Sequence, residues 1–158
     1  MSRLDSFLRR MGAQRDSLNW VAPRLEGLEG DVIEMGLGNG RTYDHLRELF
    51  PDRRIWVIDR ALNCHPSCVP PEELFLQGEA EHMLDDLHAR GVRAALIHYD
   101  FGSGTDMVDQ AESRRLSPHL AQVVVPGGYV VSGQPMAGMT QMKGPDHVDP
   151  ARYMIYQL

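Results

Sequence analysis

The chain has 158 residues, of which 42% are hydrophobic and 24% charged, and a formal net charge of -6. That length suits one domain with a real core, and no stretch approaches the roughly 20 apolar residues of a membrane span. The acidic balance gives no electrostatic reason to expect nucleic acid or an anionic membrane as partner.

The opening segment MSRLDSFLRRMG is interrupted by charges and lacks an apolar signal core, so a cytoplasmic protein is expected. Residues 3–28 carry Leu4, Phe7, Leu8, Met11, Leu18, Val21 and Leu25 at mostly helical spacing. They predict one or two amphipathic helices, with breaks near Gly12 and Pro23. Arg3, Arg9, Arg10 and Arg15 read as the solvated face of this helical segment.

Residues 31–36 (DVIEMG) form a short apolar strand running into glycines. A helix follows, with Thr42 as a cap, Tyr43, Leu46, Leu49 and Phe50 as its face, and Pro51 as its stop. Further strands are expected at 54–59, 73–78, 93–100 and 128–133, and helices at 81–91 and 105–125, the latter broken near Pro118. Pro126-Gly127-Gly128 reads as a turn. Residues 152–158 read as a terminal strand with 139–143 as its hairpin partner. Strands alternating with helices imply parallel βα units, and apolar runs without alternation imply a sheet covered on both faces.

The strongest signal is Glu34-Met35-Gly36-Leu37-Gly38-Asn39-Gly40, between a predicted strand and a predicted helix. A doubly wound sheet binds nucleotide-like ligands at such a junction. Glycines let the backbone approach the ligand, and the helix aims its free N–H groups at it. The dinucleotide pattern requires a third small residue where Arg41 stands, which argues against a nicotinamide oxidoreductase. Asp59 ends the second strand, 19 residues beyond Gly40, where a carboxylate can accept two hydrogen bonds from a ribose diol.

The acidic-x-G-x-G-x-G spacing resembles the first motif of class I (Rossmann-like) S-adenosylmethionine-dependent methyltransferases. Four further segments carry the resemblance between residues 31 and 133: Asp59, Gly78-Glu79-Ala80, Asp100 at the end of the fourth strand, and Pro126-Gly127-Gly128. Glu79 stands where the family more often has Asp, and Val125 takes an apolar place before the turn.

The resemblance implies an α/β fold with a doubly wound, mostly parallel sheet and helices on both faces. It implies S-adenosyl-L-methionine as cofactor, held by Glu34, Gly36, Gly38, Gly40, Asp59, Gly78, Glu79, Ala80 and Asp100. The whole chain, 1–158, is expected to be one such domain, with 1–28 as an N-terminal helical cap. Two departures stand out. The segment between Asp59 and Leu74 is loop-like, where the family has a helix, and the C-terminal hairpin is shortened. A clipped sheet edge of this kind predicts a homo-oligomer.

Methyl transfer needs alignment and exclusion of water, plus a base if the acceptor carries a proton. Asp100 is the first candidate base and His98 the second; two apart on one strand, they share a face, with Tyr99 on the other. Asp100 can equally cap the next turn, and His98 can equally be a core histidine. Glu34 can be satisfied by glycine-loop N–H groups, and Glu79 can simply begin a helix.

Cys64 and Cys68 have an allowed metal spacing, but no second pair stands nearby, so a structural role is expected and no metal. Met136, Met139, Met142 and Met154 fit core or subunit contact, or an adaptable pocket lining. A small-molecule acceptor is expected, since the fourth strand leads into Asp100-Phe101-Gly102-Ser103 and not an Asn-Pro-Pro-Tyr-like segment. A non-catalytic cofactor-binding or scaffold protein of the same fold is the alternative.

Overall fold

The computed structural model describes residues 1–158. The chain opens on α1 (Arg3–Val21), followed by a 3-10 turn, Ala22–Leu25. Ser2 caps α1: its Oγ accepts from the Asp5 N–H at 3.0 Å, and Asp5 Oδ2 accepts from the Ser2 N–H at 3.0 Å. The helix runs through Gly12 without a break, contrary to expectation. A helical glycine costs about 1 kcal/mol against alanine, and burial of Ala13, Gln14, Ser17, Leu18 and Val21 offsets it. The first half of α1 stays exposed, with Leu4, Phe7 and Leu8 in solvent.

There follow β1 (Asp31–Met35), α2 (Arg41–Leu49), β2 (Ile55–Asp59), β3 (Phe75–Gln77), α3 (Ala80–Ala89) and β4 (Ala94–Tyr99). The chain closes with α4 (Asp106–Val123), β5 (Val124–Ser132), β6 (Gln141–Met142) and β7 (Met154–Gln157). One seven-stranded sheet has the order β3-β2-β1-β4-β5-β7-β6. The first five strands are parallel; β7 runs antiparallel to β5, and β6 antiparallel to β7. This is the doubly wound sheet expected from the sequence.

Both faces are covered, as the unalternating apolar strands require. Ile33, Met35, Ile58, Ile97 and Tyr99 pack against α3 and α4 through Leu84, Leu87, Leu116 and Leu120. Val32, Val57 and Val131 pack on the opposite face with Leu18 of α1 and Leu46 of α2. No helix is long and apolar enough to cross a membrane.

Three local expectations are corrected. Pro118 does not break α4: it lies on the exposed face with Arg114, whose freed carbonyl water can reach. Pro126-Gly127-Gly128 lies inside β5 as a bulge, because pairing with β4 jumps from Ala94–Val124 to Leu96–Tyr129. There Gly127 has φ 83°, and its N–H donates to the Leu158 carbonyl at 2.6 Å. The third strand is only Phe75–Gln77, since Glu72–Leu74 closes into a 3-10 turn. Short 3-10 turns also replace the helix between β2 and β3, and β6 has two residues, so both departures noted in the sequence are present.

Candidate functional site

The sheet order reverses between β1 and β4, and the crevice beyond their carboxyl ends is where such sheets bind ligands. Gly36, Gly38 and Gly40 all have positive φ (96°, 51° and 94°), which carries the chain sharply from β1 into α2. Their side-chain space differs. A Cβ on Gly36 would meet the Asp100 carbonyl oxygen at 2.8 Å, and one on Gly40 the Cys68 Cβ at 2.4 Å. A Cβ on Gly38 would meet nothing within 4 Å, so this part of the loop faces open space. The Cys64–Cys68 segment thus packs on the loop, with Cys68 buried against Gly40.

Asp59 closes the loop from the neighbouring strand. Its Oδ2 accepts from the Leu37 N–H at 2.8 Å and the Gly38 N–H at 3.3 Å, and its Oδ1 from the Ala61 N–H at 3.3 Å. Its main-chain carbonyl accepts from Gly78 N–H at 3.0 Å, which ties β3 to the same corner. A cleft of about 230 Å³ opens there, lined by Asp59, Arg60, Gly78, Ala80, Phe101, Gly102, Ser103 and Glu112. Glu79 does not line it: Glu79 pairs with Arg60 at 3.1 Å on the rim, while Glu112 of α4 lines the wall.

A second cleft, about 440 Å³, adjoins the first at Phe101 and Gly102. Asp100, Gly133, Gln134, Tyr153, Arg10 and Arg152 are on its walls. A third, about 480 Å³, lies between α1 and α2 over Phe7, Leu8, Met11, Arg41 and His45. It is the most voluminous of the three, but no strand end, glycine-loop residue or carboxylate lines it, in contrast to the first two.

Glu34 and His98 are fully buried and face each other across β1 and β4, with Glu34 Oε1 2.6 Å from His98 Nδ1. Glu34 therefore meets neither the glycine-loop N–H groups nor either cleft. Its other oxygen, Oε2, has no partner. Burial pushes its carboxyl up to about 7, against the opposing pull of His98. Burial, the largest single effect, works to lower His98, but the charge and hydrogen bond of Glu34 together with the charge of Asp100 outweigh it and raise the imidazole above its ordinary value. His98 Nε2 meets the Tyr153 hydroxyl in a short contact. Gln14 of α1 reaches the same point: its Nε2 lies 2.6 Å from Thr42 Oγ1, 3.1 Å from Asp100 Oδ2 and 3.4 Å from His98 Nε2.

The sequence-predicted residues thus divide. Gly36, Gly38, Asp59, Gly78 and Ala80 surround the glycine loop and first cleft, and Asp100 the second. Glu34 and His98 form a buried pair behind it. Gly40 and Glu79 act on neighbouring chain. Gln14 and Tyr153 escaped notice because each comes from an end of the chain, on ordinary helix and strand patterns with no motif spacing.

The family of the chain follows from comparison with known proteins. A family model described as S-adenosyl-L-methionine methyltransferase matches residues 1–158. The crystal structure of an S-adenosyl-L-methionine methyl transferase from Silicibacter pomeroyi is similar over 99% of this chain and 98% of that one, with 36% identity and a TM-score of 0.93. The chain belongs to the S-adenosyl-L-methionine methyltransferase family. More distant structures share the fold alone. The MycE methyltransferase of the mycinamycin pathway has 22% identity over 70% of this chain and 29% of its own, with a TM-score of 0.54. The fibrillarin/Nop5p complex gives 13% identity, 92% and 81% coverage, and a TM-score of 0.56. No protein of curated function matches the sequence.

S-adenosylmethionine, the methyl donor of this methyltransferase, fits the residues present. The open space over Gly38 and the small side chains of Gly78 and Ala80 leave room for an adenosyl group. The carboxylates of Asp59, Glu112 and Asp100 around the joined clefts suit a cationic sulfonium.

Proposed function

We propose that this methyltransferase binds the adenosyl group in the first cleft and methylates a small-molecule acceptor in the second. The observation that carries the reading is the junction at Phe101 and Gly102: one cleft has the ribose-type carboxylate, and the other has Asp100 and Tyr153 with two guanidiniums. Asp59 accepts from the ribose hydroxyls in place of its present loop bonds, and the backbone of Gly36, Gly38 and Gly40 leads the methionine end toward Asp100. Gly78 and Ala80 flank the adenine, with Glu79 fixing Arg60 at the rim. Glu34 holds this end indirectly, through His98. S-adenosylmethionine supplies an activated methyl carbon with a good leaving group. Asp100, on the wall of the second cleft, is the first candidate to take a proton from the acceptor; His98, fully buried, borders that cleft only through Tyr153.

A small acceptor is supported by the net charge of -6 and by the size of the second cleft, about 440 Å³. A homo-oligomer is supported less by the sheet edges, which are only three- and two-residue strands, than by the exposed Leu4, Phe7 and Leu8 of α1.

The test uses S-adenosylhomocysteine titration, and radiolabelled S-adenosylmethionine with a panel of small hydroxyl, amine, thiol and carboxylate acceptors. Asp59→Ala is expected to weaken S-adenosylhomocysteine binding about 10- to 100-fold, the scale of charge-assisted hydrogen bonds. Gln134→Trp is expected to leave that binding intact and abolish methyl transfer. Unchanged transfer in Gln134→Trp would refute the placement of the acceptor.

A further inference from the structure

The buried Glu34–His98 pair is unexplained by cofactor binding alone. It ends not in the core but on a side chain that lines the acceptor cleft. Tyr153 is only 4% exposed, yet it forms part of that wall, and Gly133 packs along its ring, where a Cβ would come within 3.4 Å of Tyr153 Cε2. Three elements hold the array: Glu34 from β1, His98 from β4 and Tyr153 immediately before β7.

The proton positions follow from the neighbours. The Gln14 amide nitrogen donates to Asp100 Oδ2 at 3.1 Å and to Thr42 Oγ1 at 2.6 Å. The same nitrogen faces His98 Nε2 at 3.4 Å. The two hydrogens of that nitrogen go to Thr42 Oγ1 and Asp100 Oδ2, so the partners of the imidazole are Glu34, whose carboxylate only accepts, and the Tyr153 hydroxyl, from which a bare Nε2 accepts. His98 Nδ1 then carries the hydrogen and donates to Glu34 Oε1 at 2.6 Å. This is a phenol–imidazole–carboxylate chain running from the cleft wall to a dry carboxylate, the order of groups by which a weak hydroxyl base is activated.

We propose that Tyr153, His98 and Glu34 form a proton relay that deprotonates a hydroxyl group of the methyl acceptor, with Tyr153 as the group that touches it. The inference rests on the second cleft being the acceptor site. The acceptor oxygen forms its bond to the methyl carbon as the carbon–sulfur bond breaks, and that electron pair stays on sulfur. The acceptor proton passes to Tyr153 Oη while the Tyr153 proton passes to His98 Nε2. Positive charge leaves the sulfonium and reappears on an imidazolium already facing the Glu34 carboxylate. The phenol is neutral before and after, so no buried phenolate forms. An acceptor atom without a proton has no use for such a chain. A hydroxyl, which attacks poorly while protonated, has the greatest use for it.

The surroundings of His98 bear on its titration: Glu34 from β1, Gln14 from α1, Thr42 from α2 behind Gln14, Asp100 beyond its own strand, and Tyr153. Asp59 adds to the field on Glu34, and Arg10 to that on Tyr153.

The experiment combines two readouts on the full chain. Nitrogen NMR of histidine-labelled protein bound to S-adenosylhomocysteine, assigned with His98→Gln, is expected to show the neutral His98 imidazole, above its raised titration range, protonated on Nδ1 and bare on Nε2. Tyr153→Phe is expected to move the Nε2 resonance and to change the dissociation constant for S-adenosylhomocysteine less than about twofold. With radiolabelled S-adenosylmethionine and a panel of phenols and alcohols, Tyr153→Phe is expected to lower transfer about 100-fold or more, the scale of general-base assistance. It is also expected to erase the limb of the wild-type profile in which the rate rises with pH, an effect that a packing defect alone would not produce.

A hydrogen on Nε2 of the neutral imidazole in the bound protein would overturn the relay whether or not a panel member is methylated. So would transfer in Tyr153→Phe at the wild-type rate. Wild-type transfer in Tyr153→Phe with loss in Gln134→Trp would overturn the relay and leave the cleft assignment standing; retention in both would overturn the cleft assignment itself.

Discussion

Glu34 and His98 make stability fall with rising pH across a window where most acidic proteins are near their plateau. A carboxyl raised from 4.5 to about 7 by burial binds its proton more tightly in the folded than in the unfolded chain. Folding is therefore helped below the unfolded value, and the help is lost as pH rises toward the folded one. At about 1.4 kcal/mol per pKa unit, the span amounts to about 3 kcal/mol, lost between about pH 4.5 and pH 7. His98, also raised, acts in the same direction: its contribution is present below about 6.5 and disappears as pH climbs through its folded value.

Glu34→Gln removes the raised carboxyl together with the larger of the two charges that raise His98, and leaves burial, the largest effect, to disfavour the imidazolium against Asp100 alone. The histidine contribution then changes sign, and stability increases as pH rises through about 6.5. Asp5, Asp16, Asp85, Asp109 and Asp146, held below the ordinary range by hydrogen bonds, act in a lower window and are fully stabilising above about pH 5. Urea unfolding of the wild type and of Glu34→Gln, at half-unit steps from pH 5 to 8, gives the two profiles. A wild-type stability that rises from pH 5 to 7, or two parallel profiles, would refute the reasoning.

Two glycines of one loop should behave oppositely. Gly40→Ala combines a Cβ 2.4 Å from Cys68 Cβ with φ 94°, and is expected to cost about 3 kcal/mol in urea unfolding. Gly38→Ala has φ 51° and no neighbour within 4 Å, so it should cost about 1 kcal/mol while reducing S-adenosylhomocysteine affinity at least tenfold by calorimetry. If exposed Leu4, Phe7 and Leu8 hold copies of this chain together, light scattering should give a multiple of 17.8 kDa for the wild type and a smaller mass for Leu4→Glu/Leu8→Glu. An unchanged mass would count against α1 as the contact.

Much of the donor half was legible because its chemistry is local. Glu34 to Gly40, Asp59 and Gly78-Glu79-Ala80 each sit at a strand end, where a period change marks the place. Even there, spacing gave position but not partner. Glu34 turned to His98 because the two lie opposite in register, a fact of strand order and not of sequence distance. Glu79 and Glu112 exchanged places at the first cleft because α4 lies beside α3, with Arg60 drawing Glu79 to the rim. Gly12 and Pro118 misled for one reason: each is a breaker by propensity, and each sits in a helix whose apolar face is held by the sheet. Tyr153 was out of reach, since its role exists only once β7 has been inserted beside β5.

The polar array behind Asp100 draws on residues 14, 34, 98 and 153, while the adenosyl corner is largely built from residues 36–80, with Phe101–Ser103 and Glu112 closing its wall. On the proposed assignment of the two clefts, the two halves of the reaction are thus written in different parts of the polypeptide. The donor's half is nearly contiguous and can take shape as soon as its own strands pair. The acceptor's half exists only after both termini have come home to the same histidine. On that assignment, substitutions in the first 14 and last dozen residues redraw what is methylated while the apparatus that holds the methyl donor stays as it is.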